Sequence, residues 1–239
     1  MNAIRGARER ARSEITAEIK EAARRQLAEQ GAARLSLRAV ARELGMVSSA
    51  VYRYFPSRDE LLTALIIDAY DALGDSAERA SAGADRDGPL ARWLAVCRGV
   101  RGWALEHPHE YALLYGTPVP GYAAPQDTTG PASRVALALA RILADTFAAG
   151  ALAPPTDTPA APPIVLRDAE ALTELLGLPL PAPVTTALVA AWAELFGLVG
   201  FELFGQFHGV VNARPEFFDH AVLRLAHSAG LRPAVLPTE

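Results

Sequence analysis

The chain has 239 residues, 51% of them hydrophobic and 21% charged, with a formal net charge of −4. That length and apolar content suit one large or two modest packed domains and exclude an intrinsically disordered chain. The charge is unevenly spread: residues 1–58 carry 12 Lys and Arg against 6 Asp and Glu, and the remainder carries 11 against 21. A basic amino-terminal part suits phosphate and an acidic remainder is repelled by it, although so small an excess is, taken alone, also ordinary surface variation. The single cysteine, Cys97, excludes an internal disulfide and a cysteine zinc cluster and fits a reducing cytoplasm, with a core thiol as its expected role. The Arg-rich first 15 residues lack the apolar run of a signal peptide. The longest uncharged run, 175–193, contains Pro179, Pro181 and Pro183, so no membrane span is predicted.

In chain order, Arg5, Arg8, Arg10 and Arg12 read either as a flexible basic arm that tracks phosphates or enters a minor groove, or as a solvated, disordered terminus. Residues 15–30 have helical spacing, with Ile15, Ile19, Ala22, Ala23, Gln26 and Leu27 on or beside one face, and Gly31 ends the helix. The stretch 35–58, LSLRAVARELGMVSSAVYRYFPSR, organises the rest. Val40, Ala41 and Leu44 share a face of one helix, and Gly45 permits a tight turn. Val51, Tyr54 and Phe55 resume the apolar spacing on a second, short helix that Pro56 stops. Ala41, Gly45 and Val51, at intervals of four and six, have the spacing of a helix-turn-helix that enters the DNA major groove. Ser57 and Glu60 then form a capping box that opens a helix running to about residue 74, with Leu61, Leu65, Ala69 and Leu73 recurring every four residues.

These residues carry a resemblance. The stretch is similar to the DNA-binding domain of the tetracycline-repressor (TetR) family, whose usual form is a Gly-apolar-Ser turn, a short helix ending in Tyr-x-Tyr/His-Phe, and a Lys or Arg opening the next helix. This chain supplies Gly45, Met46, Tyr52, Tyr54, Phe55 and Arg58 at those places. One position departs: Val47 stands where the family has a Ser or Thr N-cap, so capping is expected one residue later, from Ser48. The match covers residues 10–75 closely and the remainder by general layout. It implies a helix-turn-helix DNA-binding domain over 1–58 and a ligand-binding and dimerisation domain over 59–239. Ser36, Tyr54 and Arg58 are then expected at phosphates, Ser48, Ser49, Tyr52 and Arg53 near base edges, and Arg38 on the same surface.

Beyond this stretch the reading is helical throughout. Residues 74–88, between Leu73 and Pro89, are small and polar and predict a loop or frayed end. Helices are expected over 90–106, 108–116 (opened by Pro108 and closed by Gly116), 131–147, 183–209 and 215–229. The segment 117–127 predicts an ordered or lid-like loop, and the Pro- and Ala-rich 150–163 a mobile one with polyproline bias. With no convincing strand and no repeat, the fold class is all-α: an amino-terminal three-helix domain followed by a larger helical one. Gly197, Gly200, Gly205 and Gly209 in the long apolar helix each cost about 1 kcal/mol relative to Ala, which calls for close approach of another helix or a bend. With Phe217, Phe218, Val222 and Leu225 on the last helix, a core within one subunit and a four-helix interface with a second copy both remain open; the resemblance implies the second.

No nucleophile elbow, phosphate loop, dinucleotide fingerprint or His-x-x-x-His pair occurs, so no catalytic site and no cofactor or metal are expected. His107 and His109 flank a helix start, and His208, His220 and His227 are scattered. The aromatic-rich stretches 103–115 and 192–207 read as core or, by the resemblance, as an effector cavity lined by Trp103, Tyr111, Tyr115, Phe147, Trp192 and Phe196. Their few charges favour a largely apolar small molecule. The resulting expectation is a cytoplasmic, homodimeric, ligand-responsive regulator, most simply a repressor, whose partners are a double-stranded DNA operator and that effector. Two alternatives stand beside it: a helical enzyme or small-molecule carrier with a vestigial helix-turn-helix, and a DNA-binding module without an effector.

Overall fold

The computed structural model describes residues 2–84, 88–153 and 160–232, with side chains from Gly6 onward. Among these residues there are α-helices and no strand: α1 (Asn2–Gln30), α2 (Leu37–Glu43), α3 (Ser48–Tyr52), α4 (Arg58–Gly83), α5 (Pro89–Glu106), α6 (Pro108–Tyr115), α7 (Thr129–Ala148), α8 (Pro163–Leu176), α9 (Ala182–Leu203) and α10 (Arg214–Ser228). The chain forms two compact units, one of Met1–Tyr70 with His107–Pro131, the other of Asp71–Glu106 with Ala132–Glu239. The division falls within α4 and returns α6 and the loop after it to the amino-terminal unit.

In the first unit, α1 buries Ile19, Ala22, Ala23, Gln26 and Leu27 on the face that the spacing predicts. They meet Leu37, Val40 and Ala41 of α2, Val51 of α3, and Leu61, Leu62 and Leu65 of α4. Each Ile, Leu or Val side chain among them, taken from water, contributes about 1.5–3 kcal/mol before entropy is counted. Leu113, Leu114, Val119 and Tyr122 pack against the same core from α6 and the following loop, and the Tyr122 hydroxyl lies 2.9 Å from that of Thr63. Of the two expected forms the loop takes the ordered one, packed as part of the head. Lys20 and Arg24 each reach Asp68 at 2.8 Å, and Arg24 also meets Glu110 of α6 at 3.0 Å. The start of α1 differs from expectation. The helix begins at Asn2 because Ala, Arg and Glu, which fill residues 7–12, are strong helix formers, so Arg8, Arg10 and Arg12 ride on a helix instead of a loose arm.

In the second unit the core holds Trp93 of α5, Leu139, Ile142 and Leu143 of α7, Leu188, Leu195 and Val199 of α9, and Val222 and Ala226 of α10. The Trp93 Nε1–H donates to the Val222 carbonyl at 2.9 Å, which satisfies the one polar atom of a fully buried indole. Arg101 makes a two-pronged pair with the buried Glu202, 2.7 Å on each arm, and Arg98 holds Asp219. Cys97 is buried as expected, and desolvation pushes its thiol well above the ordinary range.

Several expectations for this unit are corrected. Gly74 does not end α4, which continues to Gly83. A Cβ at Gly74 would lie 2.7–2.8 Å from the Arg134 side chain, so the glycine clears room for that arginine to cross the helix. The Arg134 guanidinium donates to the Asp71 carbonyl at 2.9 Å and to Glu78 at 3.0 and 2.7 Å, and also pairs with Asp75. The Arg134 hydrogen bonds hold the Glu78 carboxyl below its usual range. Residues 163–176 form α8, which the sequence reading did not assign although Leu166, Ala169, Leu172 and Leu176 recur at helical spacing and turn inward, while Ile164, Val165 and Leu175 face solvent. The long apolar helix stops at Leu203; Gly205 and Gly209 have φ of +84° and +71° and belong to the turns beyond it. Pro179 and Pro181 lie between α8 and α9 and Pro183 sits in the first turn of α9, so the uncharged run 175–193 is broken where expected and the helix starts within a residue of its expected Pro183 opening. By length and composition α9 could cross a membrane, but here it packs on α5, α8 and α10 as a core helix. Of the loop expected over 150–163, residues 154–159 lie outside the described residues, as do 85–87 of the expected loop or frayed end over 74–88.

Candidate nucleic-acid interface

The reading surface is built from α2, the turn and α3. Leu37, Val40 and Ala41 seat α2 on α1, while Val51 and Phe55 anchor the second helix in the same core. The turn closes through hydrogen bonds from the Leu44 amide to the Val40 carbonyl (3.1 Å) and from Met46 to Ala41 (2.8 Å). Gly45 sits between them at φ +64°, where an L side chain would be strained. The buried Gln26 steadies the entrance to α2: its Oε1 accepts the Ser36 amide at 3.3 Å. Ser57 caps α4 as its spacing predicts, its Oγ accepting the Glu60 amide at 3.1 Å.

With Val51 and Phe55 turned inward, Ser49, Tyr52 and Arg53 face solvent, with Ser48 half-buried beside them. Arg38 is exposed on α2, and Ser36 is its half-buried N-cap residue. Tyr54 is half-buried beneath the Arg12 guanidinium, 5.2 Å from its ring centroid, a cation–π contact that ties α1 to the end of the recognition unit. Arg58 Nε donates to the Leu35 carbonyl at 3.2 Å and Nη2 to that of Ala32 at 2.9 Å, while Nη1 lies 3.5 Å from Asp59. This guanidinium thus fastens the connection between α1 and α2 to the start of α4. The N-cap of α3 is Val47, with no side-chain hydrogen bond, and Ser48 lies inside the helix, so the expected shift of the cap to Ser48 does not occur. The sequence reading missed the placement of Arg12, for which the helix-forming composition of residues 7–12 was the available signal, and the backbone bonds of Arg58, for which no local signal exists.

The aromatic residues expected at an effector site are divided between the units. Tyr111 and Tyr115 belong to the first, where their rings lie 5.1 Å apart and Tyr70 meets Tyr115 edge-on at 6.1 Å; burial raises the pKa of all three phenols. Trp103, Phe147, Trp192 and Phe196 belong to the second. Trp192 and Phe196 meet edge-to-face at 5.9 Å, Trp103 is buried, and Phe147 is exposed at the end of α7. Trp192 Nε1 is buried and has no hydrogen-bond partner among the described residues. The second unit also carries an open groove of about 860 Å³ along α8, α9 and α10, with Leu166, Ala187, Leu198 and Phe217 in its lining. Among the described residues no cluster of three or more His, Cys, Asp or Glu is arranged to hold a metal.

Comparison with known proteins places this geometry. Residues 19–65 match the family described as bacterial regulatory proteins, tetR family, and residues 93–225 match the tetracyclin repressor-like, C-terminal domain. The HTH-type transcriptional regulator Rv1816 of Mycobacterium tuberculosis is 47% identical over 221 residues, covering 92% of this chain and 94% of that protein. The crystal structure of the proposed regulatory protein SCO4313 superposes with a TM-score of 0.75 at 35% identity, covering 92% of this chain and 98% of the other. RolR, solved in complex with resorcinol, shares the fold at 16% identity with a TM-score of 0.53, covering 96% of this chain and all of RolR.

Proposed function

The chain belongs to the TetR family of DNA-binding transcriptional regulators and is not an enzyme; from that premise we propose that it is a cytoplasmic, homodimeric repressor, released from a near-palindromic operator by a small molecule. The observation that carries the DNA-reading assignment is the exposed face of α3, where Ser49, Tyr52 and Arg53 stand over a backbone locked by buried Val51 and Phe55. In this reading residues 1–58 face DNA: Ser48, Ser49, Tyr52 and Arg53 lie nearest base edges, and Ser36, Arg38, Tyr54 and Arg58 position the phosphates. Residues 59–239 provide the effector site and the subunit interface. The test is retardation of a duplex selected from a random pool, competed by that site and not by bulk DNA. Failure to select any sequence would overturn the assignment.

One short recognition helix spans too few base pairs for a specific site, so the binding unit is a dimer with its heads about 34–36 Å apart. The apolar groove, exposed Phe201 and Phe217, and the open space around Gly197, where an added Cβ would meet nothing within 4 Å, support a second copy seated against α9 and α10. A stable monomer in sedimentation at micromolar concentration would refute this. The effector reading rests on Trp192, whose unpaired, buried indole N–H asks for an acceptor and whose ring packs on Phe196. These features support a largely apolar ligand with one hydrogen-bond acceptor. It would act through α4 by favouring a spacing of the heads that does not fit the operator. The coupling is expected at about 1–3 kcal/mol and is reciprocal, so equal ligand affinity with and without operator would remove the mechanism.

A further inference from the structure

Val47 breaks two local rules at once. It is the N-cap of α3, with an extended backbone (φ −71°, ψ 139°), yet its side chain has no oxygen to accept a first-turn amide, and no side-chain cap bond is formed there. It is also 71% exposed, whereas Val51, one turn further along the same helix, is fully buried. A β-branched apolar side chain therefore stands in water at the place where Ser or Thr would stabilise the helix. Such a local conflict marks a residue kept for contact with something outside the chain.

We propose that Val47 is a specificity residue that packs its methyl groups on the C5-methyl of a thymine in the major groove. The inference rests on the DNA-reading assignment and deepens it. The amino-terminal residues of a recognition helix lie against base edges, and the C5-methyl of thymine is the apolar group among the major-groove edges of the four bases. Valine has no donor or acceptor, so it discriminates through that methyl group alone. Ser48 and Ser49, which follow it, bring hydroxyls that hydrogen-bond to any edge. Tyr52 and Arg53 are exposed at the other end of the helix, so the apolar contact sits apart from the two largest polar readers.

The experiment uses the full-length protein and a site selected from random duplexes. Each symmetric pair of thymines is replaced by deoxyuridine, which removes the methyl group and preserves base pairing, and affinity is measured at fixed salt. One pair is expected to matter, by about fourfold per half-site, the equivalent of about 0.8 kcal/mol for one buried methyl, and so by roughly fifteenfold for both. Val47→Ser should bind the thymine and deoxyuridine sites equally and, with its cap restored, melt at a higher temperature. A wild-type protein indifferent to every thymine methyl in a site it binds specifically would overturn the role of Val47 and leave DNA reading intact. Undiminished methyl discrimination in Val47→Ser would assign the contact to another residue. If no duplex is selected at all, the DNA-reading assignment fails and this inference with it.

Discussion

The two compact units bury similar aliphatic cores and leave opposite kinds of side chain in water. Among the described residues of the first unit, the exposed large apolar side chains are Val47 and Tyr52, both on the recognition unit. In the second unit Ile164, Leu175, Val189, Phe201, Phe204 and Phe217 are exposed along α8, α9, α10 and the turns beside them. The contrast separates two kinds of partner. A charged surface with isolated apolar points suits a wet, polyanionic duplex read at a few base edges, whereas a run of apolar side chains suits a second protein surface that excludes water.

The largest effect is expected in the core of the second unit. Trp93→Ala should cost about 3–5 kcal/mol in urea unfolding, because it empties a fully buried site and strips the Val222 carbonyl of its donor. A loss under about 1 kcal/mol would mean that Trp93 does not join α5 to α10 as described. A sharper test of the contrast compares two exposed aromatics. Phe201→Asp should raise the dimer dissociation constant at least tenfold in sedimentation and leave the far-ultraviolet circular dichroism unchanged, whereas Tyr52→Asp should leave assembly untouched and abolish operator binding; an exchange of these phenotypes would reverse the partner assignments.

Arg58→Ala comes next. It should weaken binding to all sequences alike and flatten the salt dependence by about one unit. The lost carbonyl bonds should also destabilise the head by about 1–2 kcal/mol. An unchanged salt slope with a lower melting temperature would restrict Arg58 to its structural bonds, and a changed sequence preference would make it a base reader. The smallest effect is electrostatic. Asp219 and Glu78 are held below their usual range by hydrogen bonds from Arg98 and Arg134 respectively. Their stabilisation is present above the unfolded carboxylate values, about 4, and fades as pH falls through the lower folded values. Melting temperature should therefore decline below about pH 4, and less steeply in 1 M salt, because these partly exposed pairs are screened.

Much of the first unit was legible because its signals are local. The four-and-six spacing of Ala41, Gly45 and Val51, the Ser57–Glu60 capping box, and the Pro108 start and Gly116 stop of α6 each act within a turn or two of chain. The candidate DNA-facing residues emerge from the same local geometry: once Val51 and Phe55 point inward, Ser49, Tyr52 and Arg53 must point out. The second unit was less legible because its punctuation is ambiguous without a partner. Gly74 reads as a helix stop until Arg134, sixty residues away, is seen lying across it. In α8 the inward stripe of Leu166, Ala169, Leu172 and Leu176 is written in the sequence, but exposed Ile164, Val165 and Leu175 beside it blur its edges.

By itself the sequence determined the all-α class, the helix-turn-helix, the Ser57 cap of α4 and the acidic character of the larger carboxy-terminal part, since propensity, capping and periodicity are properties of neighbouring residues. Tertiary structure alone decided which cations the protein itself holds in place. Arg58 is engaged by the carbonyls of Leu35 and Ala32, and Lys20 and Arg24 by Asp68. It also decided that α6 and its loop belong to the amino-terminal unit, and that Val47 is left uncapped and in water. Each depends on what a distant segment places against the residue, and spacing along the chain carries no record of that.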